Sequence, residues 1–237
     1  MTNAALIAWK ESKSYFSTPM AYVVGATFLV LTGIFFVRDI TAPFAEANVR
    51  GLVDWAGFFM IFLSPLLTMR LLAEEQKMGT LELLLTAPVR DWEVVAGKYV
   101  AGFIILTATM SLTLYYVLLL FWFGNPDTGP VVSAYLGLIL HGGAALAVGL
   151  LASSLTSNQM VAAVVGTASL LALSFADRVA DLLSGTAREV VDGMAMSSHF
   201  VDFSRGIVDT THVAYYLSVA AVAVFLTIRS LEMRRWR

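Results

Sequence analysis

The sequence predicts an all-α polytopic membrane protein with six transmembrane helices. Three observations lead there. The 237-residue chain is 58% hydrophobic and only 14% charged, whereas a soluble domain is usually about 45–50% apolar and about 25% charged. The apolar residues fall in runs long enough to cross a hydrocarbon core about 30 Å thick. These runs do not alternate in the short-strand pattern of a closed barrel, so helices, which satisfy their own backbone, are the spanning element.

Six runs qualify: Met20–Val37, Leu52–Leu72, Val94–Phe123, Val132–Leu155, Gln159–Ala176 and His212–Ile228. An even count puts both termini on one side. That side collects Lys10, Lys13, Arg70, Lys77, Arg90, Lys98, Arg229, Arg234, Arg235 and Arg237, ten of the 15 lysines and arginines. Arg38, Arg50, Arg178, Arg188 and Arg205 lie opposite. Because basic residues favour the cytoplasmic face, the termini and the Arg70–Glu93 loop are expected in the cytosol. No cysteine is present, which excludes disulfides and thiolate metal sites.

Between the spans the elements follow in order, all within one transmembrane domain, 1–237. Residues 4–16 predict an N-terminal interfacial helix, with Leu6, Trp9 and Phe16 toward lipid and Lys10, Glu11 and Lys13 toward water. Pro19 breaks it before the first span. Residues 73–92 form a cytosolic loop. In it Glu74, Glu75 and Lys77 extend the second helix, Gly79 permits a bend, and Thr80 caps a short helix ended by Pro88. Leu81, Leu84 and Leu85 make an apolar ridge there, with Glu82 to one side. Asp91 is expected to cap the third helix, with Glu93 in its first turn. The external segment 177–211 predicts an amphipathic helix carrying Val179, Leu182, Leu183 and Val190, and another short helix at Phe200–Ile207. Both would dip part way into the outer leaflet.

Catalytic signals are missing. No G-x-x-x-x-G-K-[ST], H-E-x-x-H or G-x-S-x-G run occurs, so the chain has no nucleotide cradle, zinc-protease helix or nucleophile elbow. His141, His199 and His212 are scattered and do not suggest a metal site. Thr107, Ser111 and Tyr115, spaced i, i+4, i+8, share a face of the third span; with the intramembrane His141 they are candidate pathway-lining residues. Gly142, Gly149 and Ser153, with Ala162, Gly166 and Ser169 on the next span, suit close helix packing.

The pattern Ala73-Glu-Glu-x-x-x-Gly-Thr-Leu-Glu-Leu-Leu-Leu-Thr-Ala-Pro-Val-x-Asp-Trp-Glu93, followed by Gly97-Lys98, resembles the cytosolic signature of type-2 ABC exporter permeases, and most of all their gliding-motility-associated branch. Leu150–Gln159 and Phe203–Thr210 resemble that branch too. The resemblance implies a permease subunit, not an enzyme, with six helices per subunit and short re-entrant external helices before the last span. The loop helix becomes a coupling helix seated on a separate cytosolic ABC ATPase dimer, which binds ATP with magnesium; the chain itself binds no cofactor. Glu74, Glu75, Gly79, Thr80, Leu81, Glu82, Leu84, Leu85 and Pro88 fall on this ATPase-coupling region. A second copy or a similar permease, membrane lipid and a periplasmic auxiliary protein are the other partners expected; nucleic acid is not. Two other readings are a mechanotransmitter or scaffold that moves no cargo, and an intramembrane protease. The second needs Glu-Glu-x-x-x-Arg, and Gly79 stands where its arginine would be.

Overall fold

The computed structural model describes residues 3–43, 48–80 and 89–235. Every element in them is helical: α1 (Asn3–Phe16), α2 (Pro19–Ile40), α3 (Arg50–Thr68), a π turn (Arg70–Glu74), α4 (Glu75–Met78), α5 (Asp91–Phe123), α6 (Thr128–Leu155), α7 (Gln159–Ser174), α8 (Ala176–Ala180), α9 (Thr186–Gly193), α10 (Met196–Ser204) and α11 (Thr210–Arg235). The end bearing α1, α4 and the start of α5 is called proximal. The end bearing α8, α9 and α10 is called distal.

Among the described residues, five helical stretches are long and apolar enough to cross a membrane: Pro19–Ile40, Arg50–Met78, Asp91–Phe123, Thr128–Leu155 and Thr210–Arg234. The expected span at Gln159–Ala176 is the exception. There α7 has 16 residues, about 24 Å at 1.5 Å per residue, which falls short of the hydrocarbon thickness. At the other extreme α5 has 33 residues, about 50 Å by the same rise, so it extends well beyond a bilayer.

The bundle is organised around α6. Its most apolar stretch is 78% buried, against 22% for α2 and 17% for α11. α3, α7, α10 and α11 all pack on it. A run of small residues makes this close approach feasible: Gly149 on α6 and Gly166 on α7 both face Pro65 of α3, so the small-residue faces receive a third helix between them. Several buried hydroxyls inside the spans turn back onto their own helix. Thr32, Thr68, Thr109 and Thr227 each donate to the carbonyl four residues earlier, at 2.8 to 2.9 Å, which satisfies them without a polar partner elsewhere.

The sequence predicts one amphipathic helix across residues 179–190, and the distal segment departs from that: two helices stand there. Gly185, at φ 67°, separates α8 from α9. α9 is exposed throughout, with Val190 outward. α10 starts at Met196, four residues before the expected helix at Phe200. It turns Met196, Phe200 and Phe203 into the core, where they pack against Gly57, His141 and Tyr216. Asp209 then caps α11 by accepting the Thr211 N–H at 2.8 Å. That backbone hydrogen bond, with a second from the Thr211 side chain, holds its carboxyl below the usual carboxylate range.

Candidate functional site

The proximal end gathers ionic side chains of α1, the π turn, α4 and α5 into one junction. It begins where α3 changes pitch. Pro65 lacks an N–H, and five residues after it the chain widens into the π turn Arg70–Glu74. Such a turn inserts one residue into a helix and re-aims the chain beyond it; π turns are frequent at functional sites. Its irregular backbone is held by α6. The Leu72 and Ala73 N–H groups donate to Ser153 Oγ at 3.3 and 3.0 Å, and the Ser153 hydroxyl donates to the Met69 carbonyl at 3.3 Å. All this lies out of water's reach, since Ser153 is fully buried.

Ser154 gathers the neighbouring elements. Its carbonyl, near the C-terminal end of α6 where helix carbonyls lack intrahelical partners, accepts from Gln76 Nε2 at 3.1 Å, the Arg234 guanidinium at 3.1 Å and Ser230 Oγ at 3.5 Å. A cation at a helix C-terminus also suits the helix dipole. The stem of the 73–92 loop and the last helix therefore meet on one α6 carbonyl.

Lys98 closes the junction from the other side. It sits in the third turn of α5 with its side chain fully buried, 3.0 Å from Glu11 of α1 and 2.7 Å from Glu75 of α4. Arg70 and Glu74 pair beside it at 2.8 Å. Tyr15 of α1 donates its hydroxyl to the Leu67 carbonyl of α3. Burial, reinforced by the Glu11 charge, pushes that phenol up, so it stays a protonated donor. α1 presses on α5 so closely that Gly97 faces the Ala4 carbonyl and Ile7 with no room for a side chain.

This geometry corrects several expectations. Leu6, Trp9 and Phe16 of α1 do point outward, as do Lys10 and Lys13, but Glu11 turns inward to Lys98 rather than to water. Asp91 is the first residue of α5, not its cap; Glu93 does the capping by accepting the Arg90 N–H at 3.0 Å. Gly79 makes the bend, in the left-handed region at φ 70°, where a Cβ is disfavoured. Thr80 is exposed beside it and donates to the Glu75 carbonyl at 3.4 Å. Glu74 and Glu75 are both held in ion pairs within the chain. Leu81, Glu82, Leu84, Leu85 and Pro88 lie outside the described residues.

The candidate pathway residues do not form one cluster. Ser111 is exposed and donates to the Thr107 carbonyl at 2.8 Å. Tyr115 is also exposed, edge-on to Tyr116. Thr107 Oγ1 is buried without a hydrogen-bond partner. His141 is buried on α6 between the rings of Phe200 and Tyr216. The Gly57 backbone faces its imidazole too loosely for a hydrogen bond. Among the described residues no His, Asp and Glu group is arranged to hold a metal.

Sequence reasoning passed over Lys98, Glu11, Ser153, Ser154 and Arg234 as a unit. One signal pointed there: Lys98 interrupts an otherwise apolar run, and a lysine so placed needs a partner.

This is a bundle of long apolar helices suited to a membrane, with a polar junction at the root of residues 73–92. Residues 39–177 match the family described as ABC-2 family transporter protein, and the chain belongs to that family. It is therefore a multi-pass membrane protein of the ABC-2 transporter family. Over 90 residues the chain is 32% identical to the probable multidrug ABC transporter permease YbhR of Escherichia coli K12, and equally to that of E. coli O157:H7. The match covers 38% of this chain and 24% of each relative, so the chain spans about a quarter of the curated relatives it matches.

Proposed function

We propose that the chain is the membrane-spanning subunit of an ATP-driven exporter, moved by a separate cytosolic ATPase through residues 73–92. Family membership over residues 39–177 is the observation that carries this reading. The junction supports it. A loop that receives force needs a stiff root, and this one is tied to α1, α5, α6 and α11 by directional polar bonds. In this reading α7 is a sixth, short span and both termini lie in the cytosol of a bacterial inner membrane. Two copies, or one copy with a similar permease, enclose the pathway. The outward apolar faces of α2 and α11 meet lipid or that second copy. The resemblance of the 73–98 and 150–159 motifs supports the gliding-motility-associated branch, a name that assigns no cargo.

ATP and magnesium would act on the ATPase alone. ATP-driven closure of its two halves pushes the 73–92 loop, and the push enters the bundle at the π turn. The test is Leu84→Asp, which places a charge on the expected apolar ridge. Copurification with the ATPase and permease-stimulated hydrolysis should both be lost. Retention of both would contradict the assignment.

A further inference from the structure

The force that enters at residues 73–92 has two routes into the membrane. One is direct, through the π turn into α3. The other crosses Lys98. We infer that Lys98 is a positioning residue that binds α1, α4 and the root of α5 into one rigid block, so that α5 and the N-terminal helix move with the loop. This rests on the coupling role proposed above and adds to it a part for α1 and a residue outside the loop.

Four observations carry it. Lys98 is fully buried, yet contacts two carboxylates from different elements, Glu11 at 3.0 Å and Glu75 at 2.7 Å. A single buried cation between two anions cannot release either partner without leaving a charge unpaired in a poorly solvated place, which is strongly unfavourable. Without Lys98, α4 would be only loosely joined to α1 and α5. α4 has four residues and no buried side chain, and it hangs on α3 through a π turn, a weaker ladder than an α-helix. Finally, α1 already lies against α5 at Gly97 with no space between them, so the ion pairs add α4 to a contact that exists.

Lys98 makes this connection selective. It joins α4 to α5, while Ser153 joins the π turn to α6. The loop thereby grips both long helices at once. Glu75 keeps one carboxylate oxygen buried without a partner, so this carboxylate depends on Lys98 for its compensation.

The experiment uses the full-length chain, whose lack of cysteine allows clean labelling. Spin labels go on Lys13→Cys in α1 and Lys77→Cys in α4, both exposed, and the distance between them is read in lipid vesicles. The native background should give a single narrow distance. Lys98→Met should lose it. Because Lys98→Met strands two carboxylates and could unfold the junction, the neutral triple variant Glu11→Gln, Lys98→Met, Glu75→Gln is the decisive one. It removes the charges together, should remain folded, and should also lose the narrow distance. Lys98→Arg, which keeps the cation, should retain it. A narrow distance in the triple variant overturns the block.

Activity is then read on the native complex with its ATPase. The triple variant should copurify with the ATPase but lose permease-stimulated hydrolysis, a split that a merely structural role would not produce. Full stimulation overturns the proposal. If the unsubstituted chain neither binds nor stimulates an ATPase, the proposed function fails, while the distance measurement still decides whether the block exists.

Discussion

The two ends of this bundle are held by different forces. At the proximal end, Lys98, Glu11, Glu75, Ser153, Ser154, Gln76 and Arg234 make short polar bonds between elements. At the distal end, α10 is seated by Met196, Phe200 and Phe203 in an apolar bed. Side-chain bonds also seat it, from Ser133 to the Phe203 carbonyl at 3.1 Å, Tyr216 to the Met196 carbonyl at 2.8 Å, Ser197 to the Ser174 carbonyl and His212 to Asp202 at 2.8 Å, but among the described residues no fully buried cation lies there. Polar bonds are directional and resist rotation. Apolar contact is non-directional and tolerates sliding while excluding water. Under the coupling role proposed above, this contrast suits force entry at the proximal end and sealing at the distal end.

Substitutions that separate the two kinds of attachment sharpen the contrast. The largest effect is expected at Gly137→Val, whose Cβ would lie 2.5 Å from the Phe203 Cβ, an atom near the backbone that cannot swing away. α10 must shift; overpacking of this kind costs about 1–3 kcal/mol or more. The thermal midpoint in detergent should fall and hydrogen exchange across Met196–Ser204 should accelerate, with the proximal end unchanged. Ser153→Ala comes next. It strands the Leu72 and Ala73 N–H groups in a buried site, at about 1–3 kcal/mol. Exchange should rise at residues 70–78 and leave α10 alone. Tyr15→Phe removes one hydroxyl bond to the Leu67 carbonyl, about 0.5–1.5 kcal/mol, and should loosen α1 only. Identical exchange patterns from the proximal and distal substitutions would break the comparison.

Much of the fold was legible in the residues. Long apolar runs predicted the spanning helices because lipid leaves the backbone no other partner, and Gly79 marked the bend. What escaped notice depends on three-dimensional pairing. Glu11 and Lys98 are 87 positions apart, and an amphipathic reading of α1 sends every charge to water. Nothing near Glu11 in the sequence shows that a buried lysine waits on α5; only the apolar run around Lys98 hints at it. The π turn was invisible for a related reason: it is stabilised by Ser153, some 80 residues away. The shortness of α7 was hidden because the apolar run continues to Ala176, while the helix stops at Ser174 and the chain bends at Phe175. Of the candidate coupling residues, Gly79 was placed from the conformation it alone adopts easily. Glu74 and Glu75 were read as groups for a partner because their internal partners, Arg70 and Lys98, were counted only as charges on a side.

The most direct test of the account is a photo-crosslinking scan of the full-length chain in its native membrane complex. Single cysteines carrying the crosslinker are placed along residues 77–85 at the proximal end and 179–190 at the distal end. The account predicts adducts with a nucleotide-hydrolysing subunit from the first set and none from the second. Adducts from the distal set, or none from the proximal set while the complex is intact, would contradict it.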